Sequence, residues 1–260
     1  MRRLMLWLLL APQACGGSTG GEIVDFQAAA AGPADAVSGQ PLVFDGARNW
    51  QVTLSSARLH IGALYLAEAV PVSGAQATSC IVPGSYIAQV VLGRDIDLLS
   101  SQPQLFPVLG QGTTLEANAG QVWLTGGDVN QVSDPPQPTV ILALSGSAQL
   151  GAEIRSFDAQ LTIADNRVGA SSGVAGGAPI CKQRIVSPIP TSIQVENRGA
   201  LLLRVDPRRL FTNVDFGALE ANGDHFSFKD DSSDQPSANL YNNLRQGGAL
   251  YEFSWVPALN

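Results

Sequence analysis

The feature that most constrains this chain is a two-residue alternation of apolar and polar side chains, repeated in short segments from end to end. Phe157, Ala159, Leu161 and Ile163 alternate with Asp158, Gln160 and Thr162. Successive side chains of a strand point to opposite faces, so this pattern specifies a half-buried strand with one wet face. Val52 and Leu54 alternate with Gln51 and Thr53, and the series resumes after Ala57 with Leu59 and Ile61. Further sets are Tyr86, Ala88, Val90 and Leu92; Val140, Leu142 and Leu144; Leu201, Leu203 and Val205; and Tyr251, Phe253 and Trp255. Turn chemistry separates them: Asn197-Arg198-Gly199, Asp165-Asn166, Gly126-Gly127-Asp128 and the proline-rich stretch 133–138. Many short strands joined by turns predict an all-β fold, an antiparallel β-sandwich.

Helix signals are few, and one or two short helices are expected. Asp206-Pro207 reads as an N-cap followed by Pro at the first helical position. Ser237 is expected to cap a second short piece carrying Leu240, Tyr241 and Leu244 on one face. No series of strand, helix, strand recurs, which argues against a doubly wound α/β sheet. No internal repeat or linker divides the body. The Gly/Ser-rich stretch 169–177 has β signals of one kind on both sides, so a single domain is expected over 23–260.

Composition narrows the function. Apolar residues make up 45% of the 260, enough for a core, whereas charged residues are only 14%. Lys and Arg number 15 against 22 Asp and Glu, a formal charge of −7. Such a body is a poor electrostatic match for nucleic acid.

The N-terminus points to export. Arg2 and Arg3 precede the apolar run Leu4 to Ala11, which Pro12, Gln13, Ala14 and Cys15 follow. The run is far too short to span a bilayer core, which takes about 20 residues as a helix. Charge, short apolar stretch and small-residue end together read as a signal peptide. With Cys15 directly after Ala14, the stretch resembles a bacterial lipoprotein signal, although Pro12 stands where such signals usually carry Leu. The resemblance covers only the first 15 residues. It implies that 1–14 are removed and that Cys15 is lipidated, with palmitate among its acyl chains. Residues 15–22, including GGSTGG at 16–21, would form a flexible tether. Several acyl chains on one cysteine give stable anchoring, where a single chain binds only marginally. Gly16 is not acidic, which by the same resemblance favours the outer membrane. Removal of Arg2 and Arg3 leaves 13 basic residues against 22 acidic, a charge of −9.

With Cys15 lipidated, Cys80 and Cys181 remain. An even pair in an exported chain is expected to form a disulfide. Closing a loop of about 100 residues stabilises by roughly 4.7 kcal/mol in the chain-entropy model.

Candidate chemistry is sparse. The spacing Gly169, Ser171, Gly173 matches a hydrolase nucleophile elbow, with Asp206 and His225 following in order, but no helix signal follows the Ser. The two histidines are His60, in a strand pattern, and His225, at a turn entering a strand. With the acids Asp224, Asp230, Asp231 and Asp234 they are the candidate ligands for copper or calcium. The spacing of those acids does not match an EF-hand loop. The strand spacing from Ile23 to Leu66 is similar to that of exported copper-binding sandwiches, a likeness that carries no ligand residues over. Trp50, Trp123, Trp255 and the tyrosines read chiefly as core, with ring stacking on a sugar or peptide as the functional alternative. Phosphate-loop, zinc-protease and dinucleotide signatures are absent from the sequence.

The expectation is therefore a lipid-anchored envelope protein of the outer membrane with a non-catalytic binding or structural role and no cofactor. Its expected partners are the bilayer and an envelope protein or glycan. A periplasmic metal binder using the His and Asp residues above is the first alternative, and a serine hydrolase at Ser171 the second.

Overall fold

The computed structural model describes residues 21–69, 86–124, 139–163, 184–223, 225–245 and 249–259. Sixteen strands and one α-helix occur among them. In chain order the strands are β1 (Ile23–Ala31), β2 (Leu42–Asp45), β3 (Gln51–Ile61), β4 (Ala63–Ala67), β5 (Tyr86–Val90), β6 (Arg94–Asp97), β7 (Gln104–Leu105) and β8 (Gly110–Thr113). They continue with β9 (Glu116–Leu124), β10 (Thr139–Leu150), β11 (Glu153–Ile163), β12 (Arg184–Gln194), β13 (Gly199–Val205), β14 (Ala221–Asn222), β15 (His225–Phe228) and β16 (Tyr251–Pro257).

The strands form two sheets. The nine-stranded sheet has the order β12-β9-β4-β5-β8-β1-β13-β16, with β7 also paired to β1. The seven-stranded sheet has the order β14-β15-β11-β10-β3-β2, with β6 also paired to β3. The chain changes sheets at Gly62, between β3 and β4, where the Gly62 N–H donates to the Trp123 carbonyl at 2.8 Å.

The sheets are antiparallel-rich but not purely antiparallel. β1 pairs in parallel with β13, Gln27 opposite Ala200, and β11 in parallel with β15, Phe157 opposite Phe226. Both pairs join strands remote in sequence, so period-two patterning, which is blind to strand direction, did not announce them.

One core lies between the sheets and takes residues from Val24 to Phe253. β11 follows the expected alternation: Phe157, Ala159, Leu161 and Ile163 are buried, and Asp158 and Gln160 exposed. β3 buries Val52 and Leu54 and then Ala57, Leu59 and Ile61. That change from even to odd positions takes an extra residue. The register against β10 supplies it as a bulge at Ser55–Ser56, where both serines are exposed. Three terminal residues depart from the expected sets: Tyr86, Val140 and Leu92 are 36%, 42% and 44% exposed. Val140 stands before a register shift and Leu92 beyond the end of β5.

An aromatic cluster fills the end of the core under the seven-stranded sheet. The Phe157 and Phe216 rings lie 5.1 Å apart, and Phe211 stacks on Phe216 at 5.7 Å. Arg155 closes the cluster. Its guanidinium lies 4.5 Å from the Phe226 ring, and its Nη1 donates to the Phe216 carbonyl at 2.8 Å. At the far side Phe253 of β16 lies over Gly120 of β9. A Cβ there would meet the Phe253 ring at 2.2 Å, so only glycine lets the two strands approach.

Asp206 caps the short 3-10 turn Pro207–Phe211, as expected, accepting from the Arg208 N–H at 3.1 Å. The helix α1 (Gln235–Arg245) buries Leu240, Tyr241 and Leu244, also as expected. Its cap is not Ser237. Asp234 accepts from the Ser237 N–H at 2.8 Å, and the buried Ser237 hydroxyl instead accepts from the Lys229 N–H at 2.7 Å. A carboxylate three residues earlier satisfies the first-turn donor that a serine at 237 would leave open.

Candidate functional site

The structure separates the two histidines. His60 lies in β3, where its Nδ1 is 2.7 Å from Asp95 Oδ1 of β6. His225 opens β15 and is exposed. Three strand spacings lie between them, β15 to β11 to β10 to β3. At about 4.8 Å per spacing this is roughly 14 Å across the sheet. The register places the neighbouring Phe226 in the row of Phe157, Gly146 and Leu54, six residues short of His60. At about 3.3 Å per residue that adds roughly 20 Å along the strands. One ion bound by both imidazoles is thereby excluded in this fold.

The acids expected to help them are engaged in local structure. Asp230 accepts from the Thr162 N–H at 2.8 Å and from the Thr162 hydroxyl at 2.6 Å, tying the loop to β11. Asp231 accepts from the Ser233 N–H at 2.9 Å, a turn-forming bond. Asp234 caps α1 and lies 3.8 Å from Lys229 Nζ. Among the described residues no group of three His, Cys, Asp or Glu is placed to hold a metal ion. Asp224, Cys15, Cys80, Cys181 and Ser171 lie outside the described residues. So do the expected turns at 126–128, 133–138 and 165–166.

A different constellation stands on the outer face of the nine-stranded sheet. Leu64 and Leu66 of β4 point into the core, so the intervening Tyr65 points away from it. The register sets Gln121 of β9 on one side of Tyr65 and Gln89 of β5 on the other, with Gln111 of β8 beyond. Trp123, two residues past Gln121, shares the face. The Tyr65 ring lies 4.6 Å from that of Tyr86 and 5.0 Å from that of Trp123.

Gln121 sits fully buried among these rings. Its Oε1 accepts from Trp123 Nε1 at 3.0 Å and from the Tyr86 hydroxyl at 3.3 Å. An indole N–H only donates, which fixes the amide with its oxygen toward Trp123. Its Nε2 is left without a hydrogen-bond partner among the described residues. A buried donor left unmet costs about 1–3 kcal/mol. Burial holds the Tyr86 phenol above its ordinary pKa, against the opposing hydrogen bond to Gln121, so it is neutral at physiological pH. Beside Tyr86 a groove of about 260 Å³ runs along β5 and β8, lined by Gln89, Gln111, Thr113 and Ile23 among others.

Sequence reasoning took Trp123 for core or rim and did not single out Gln121. The available signal was a lone amide inside the otherwise apolar run Ala119 to Leu124. At the other end of the sheet Arg208 bridges Asp206 at 2.7 Å and Asp35 at 2.8 Å. The hydrogen bonds from Arg208 hold the Asp35 carboxyl below its usual range. That pair joins the β1–β2 connection to the 3-10 turn and reads as structural.

No protein-family model matches the chain, and no curated protein matches it significantly. A solved structure, MbnP from Methylosinus trichosporium, is similar over 90% of this chain and 98% of its own length, at 11% identity and a TM-score of 0.42. No residue or role is carried over from it to this chain.

Proposed function

We propose that this chain is a lipid-anchored cell-envelope protein with a non-catalytic binding role, held at the outer membrane through Cys15 and binding through the outer face of its nine-stranded sheet. The signal-like residues 1–15 and the flexible tether after them support the anchor. The observation that carries the binding role is the Gln121 amide, fully buried beside Tyr65, Tyr86 and Trp123, with an N–H unmet among the described residues. Buried polar groups are almost always paired, and an exception calls for a reason. A ligand acceptor arriving at that donor supplies one. Cys80 and Cys181 are proposed to form a disulfide in the oxidising envelope.

Two measurements test this reading. Labelled palmitate should enter the wild-type chain and not Cys15→Ser, and the substitution should move the protein from the membrane fraction to the soluble one. An unlabelled, soluble wild type would remove the anchor. Native mass spectrometry of the full chain, purified without chelator, should then retain a bound molecule or partner, with the mass two hydrogens below that of the thiol form. A bare chain that captures nothing would leave only a structural role.

A second reading, metal binding, is favoured by one observation. Asp95 engages His60 Nδ1, the arrangement that orients an imidazole so that its Nε2 can ligate. In that reading His60 binds copper or zinc without His225. Titration of wild type and His60→Ala with each ion separates the cases, and equal uptake would end it.

A further inference from the structure

We propose that the outer face of β9, β4, β5 and β8 binds a neutral pyranose unit of an envelope glycan, stacked on Tyr86 and hydrogen-bonded by Gln89, Gln111 and the Gln121 amide. This rests on the binding role proposed above and specifies its ligand.

Four observations select that class. The polar groups in the row are amides: Gln121, Gln89 and Gln111 stand in register on either side of Tyr65 and beyond. An amide both donates and accepts, which matches a hydroxyl that does the same. It offers no net charge to an anionic or cationic ligand. Tyr86 is 36% exposed and forms a wall of the groove. An aromatic ring flanked by amides complements a sugar ring, whose one face is C–H and whose edge is hydroxyl. The groove, at about 260 Å³, lies just under the usual range for small-molecule sites, roughly 300–1,000 Å³, and so suits one ring rather than several. Finally, the buried Nε2 of Gln121 needs an acceptor. The Tyr86 hydroxyl donates to the Oε1 of the same amide at 3.3 Å. In the proposed complex a ligand hydroxyl reaches that N–H past the Tyr86 side chain, at the edge of the groove that Tyr86 lines.

The test titrates the full chain, in a detergent without a sugar headgroup, with neutral mono- and disaccharides of the glucose, galactose and N-acetylglucosamine types. Glucuronic acid serves as the charged comparison. Calorimetry and tryptophan fluorescence are read together, because Trp123 adjoins the site. The expected result is saturable binding in the millimolar range or tighter, with no binding of the uronic acid. Tyr86→Ala and Gln89→Ala should each weaken it about five- to tenfold. Gln121→Leu should abolish it while circular dichroism and the thermal midpoint hold. Should that variant fail to fold, the two groove variants still decide. Neutral sugars that do not bind, or bind equally to all variants, overturn the proposal. A charged or peptide ligand lost in the same variants overturns the sugar class and keeps the binding role. No retained ligand or partner of any kind overturns both.

Discussion

The two sheets solve the same problem differently on their outer faces. The seven-stranded sheet packs one face and wets the other: Asp158, Gln160, Gln51, Ser55, Ser56 and Arg58 are exposed opposite a continuous core. The nine-stranded sheet is dry on both faces over much of its area. All five residues of β4 are buried, as are all of β13 except the half-buried Arg204. On the outer side of β1 and β13, Ala29, Ala31 and Leu202 form a second small cluster. Val256 and Leu259 pack against it, and the Leu259 N–H donates to Gln27 Oε1 at 2.7 Å. The lesson is that an amide on the wet sheet is solvation, whereas an amide on the dry sheet must be paired or used. That is why Gln121 means something and Gln160 does not.

The contrast is tested most severely in the core. Phe157→Ala removes the ring at the centre of the aromatic cluster and should cost about 3–5 kcal/mol by urea unfolding. Its neighbour Gln160→Ala should stay within about 0.5 kcal/mol. Leu202→Ala, on an outer face like Gln160, should nevertheless cost about 2–3 kcal/mol. A surface-like value there would show that the outer side of β13 is not a packed layer. Asp234→Ala should cost about 1 kcal/mol through the lost helix cap, and Asp234→Asn should recover most of it.

A pH experiment sharpens the same picture. The Tyr251 phenol is fully enclosed, donates to the Leu244 carbonyl at 3.2 Å, and has its pKa pushed well up by burial. A phenol raised in the folded state keeps its proton there after the unfolded chain has released its own near pH 10. Stability from this group is therefore complete below pH 10 and falls above it, by about 1.4 kcal/mol per pH unit. Tyr251→Phe should lose about 1 kcal/mol at neutral pH and shed that part of the alkaline slope. Gln121→Leu is expected to stay within about 1 kcal/mol of wild type by urea unfolding. The lost hydrogen bonds to Trp123 and Tyr86 are offset by removal of the unmet N–H.

The strands of the wet sheet were legible because their burial period is written residue by residue, as in 157–163. The parity change in β3 was legible too, once Ser55 and Ser56 are counted as one bulge. What could not be read was tertiary. Tyr65 and Ala67 look like any apolar residues, and only register and layering bury them on the far face. The acids at 230–234 suggested an ion because composition shows charge and not partners. In the fold they bond to Thr162, Ser233 and Ser237. The histidines failed as a pair for the same reason: strand order set them apart, and strand order is not a local property.

The parallel union of β1 with β13 has a consequence in time rather than space. Gln27 meets a partner, Ala200, that is synthesised 173 positions later. Ordering so remote a contact is entropically expensive and slow. Until the last quarter of the chain is available, β1 lacks one of its neighbours and the large sheet stays open along that side. A nascent chain of this design cannot close its larger sheet until β13 has been made.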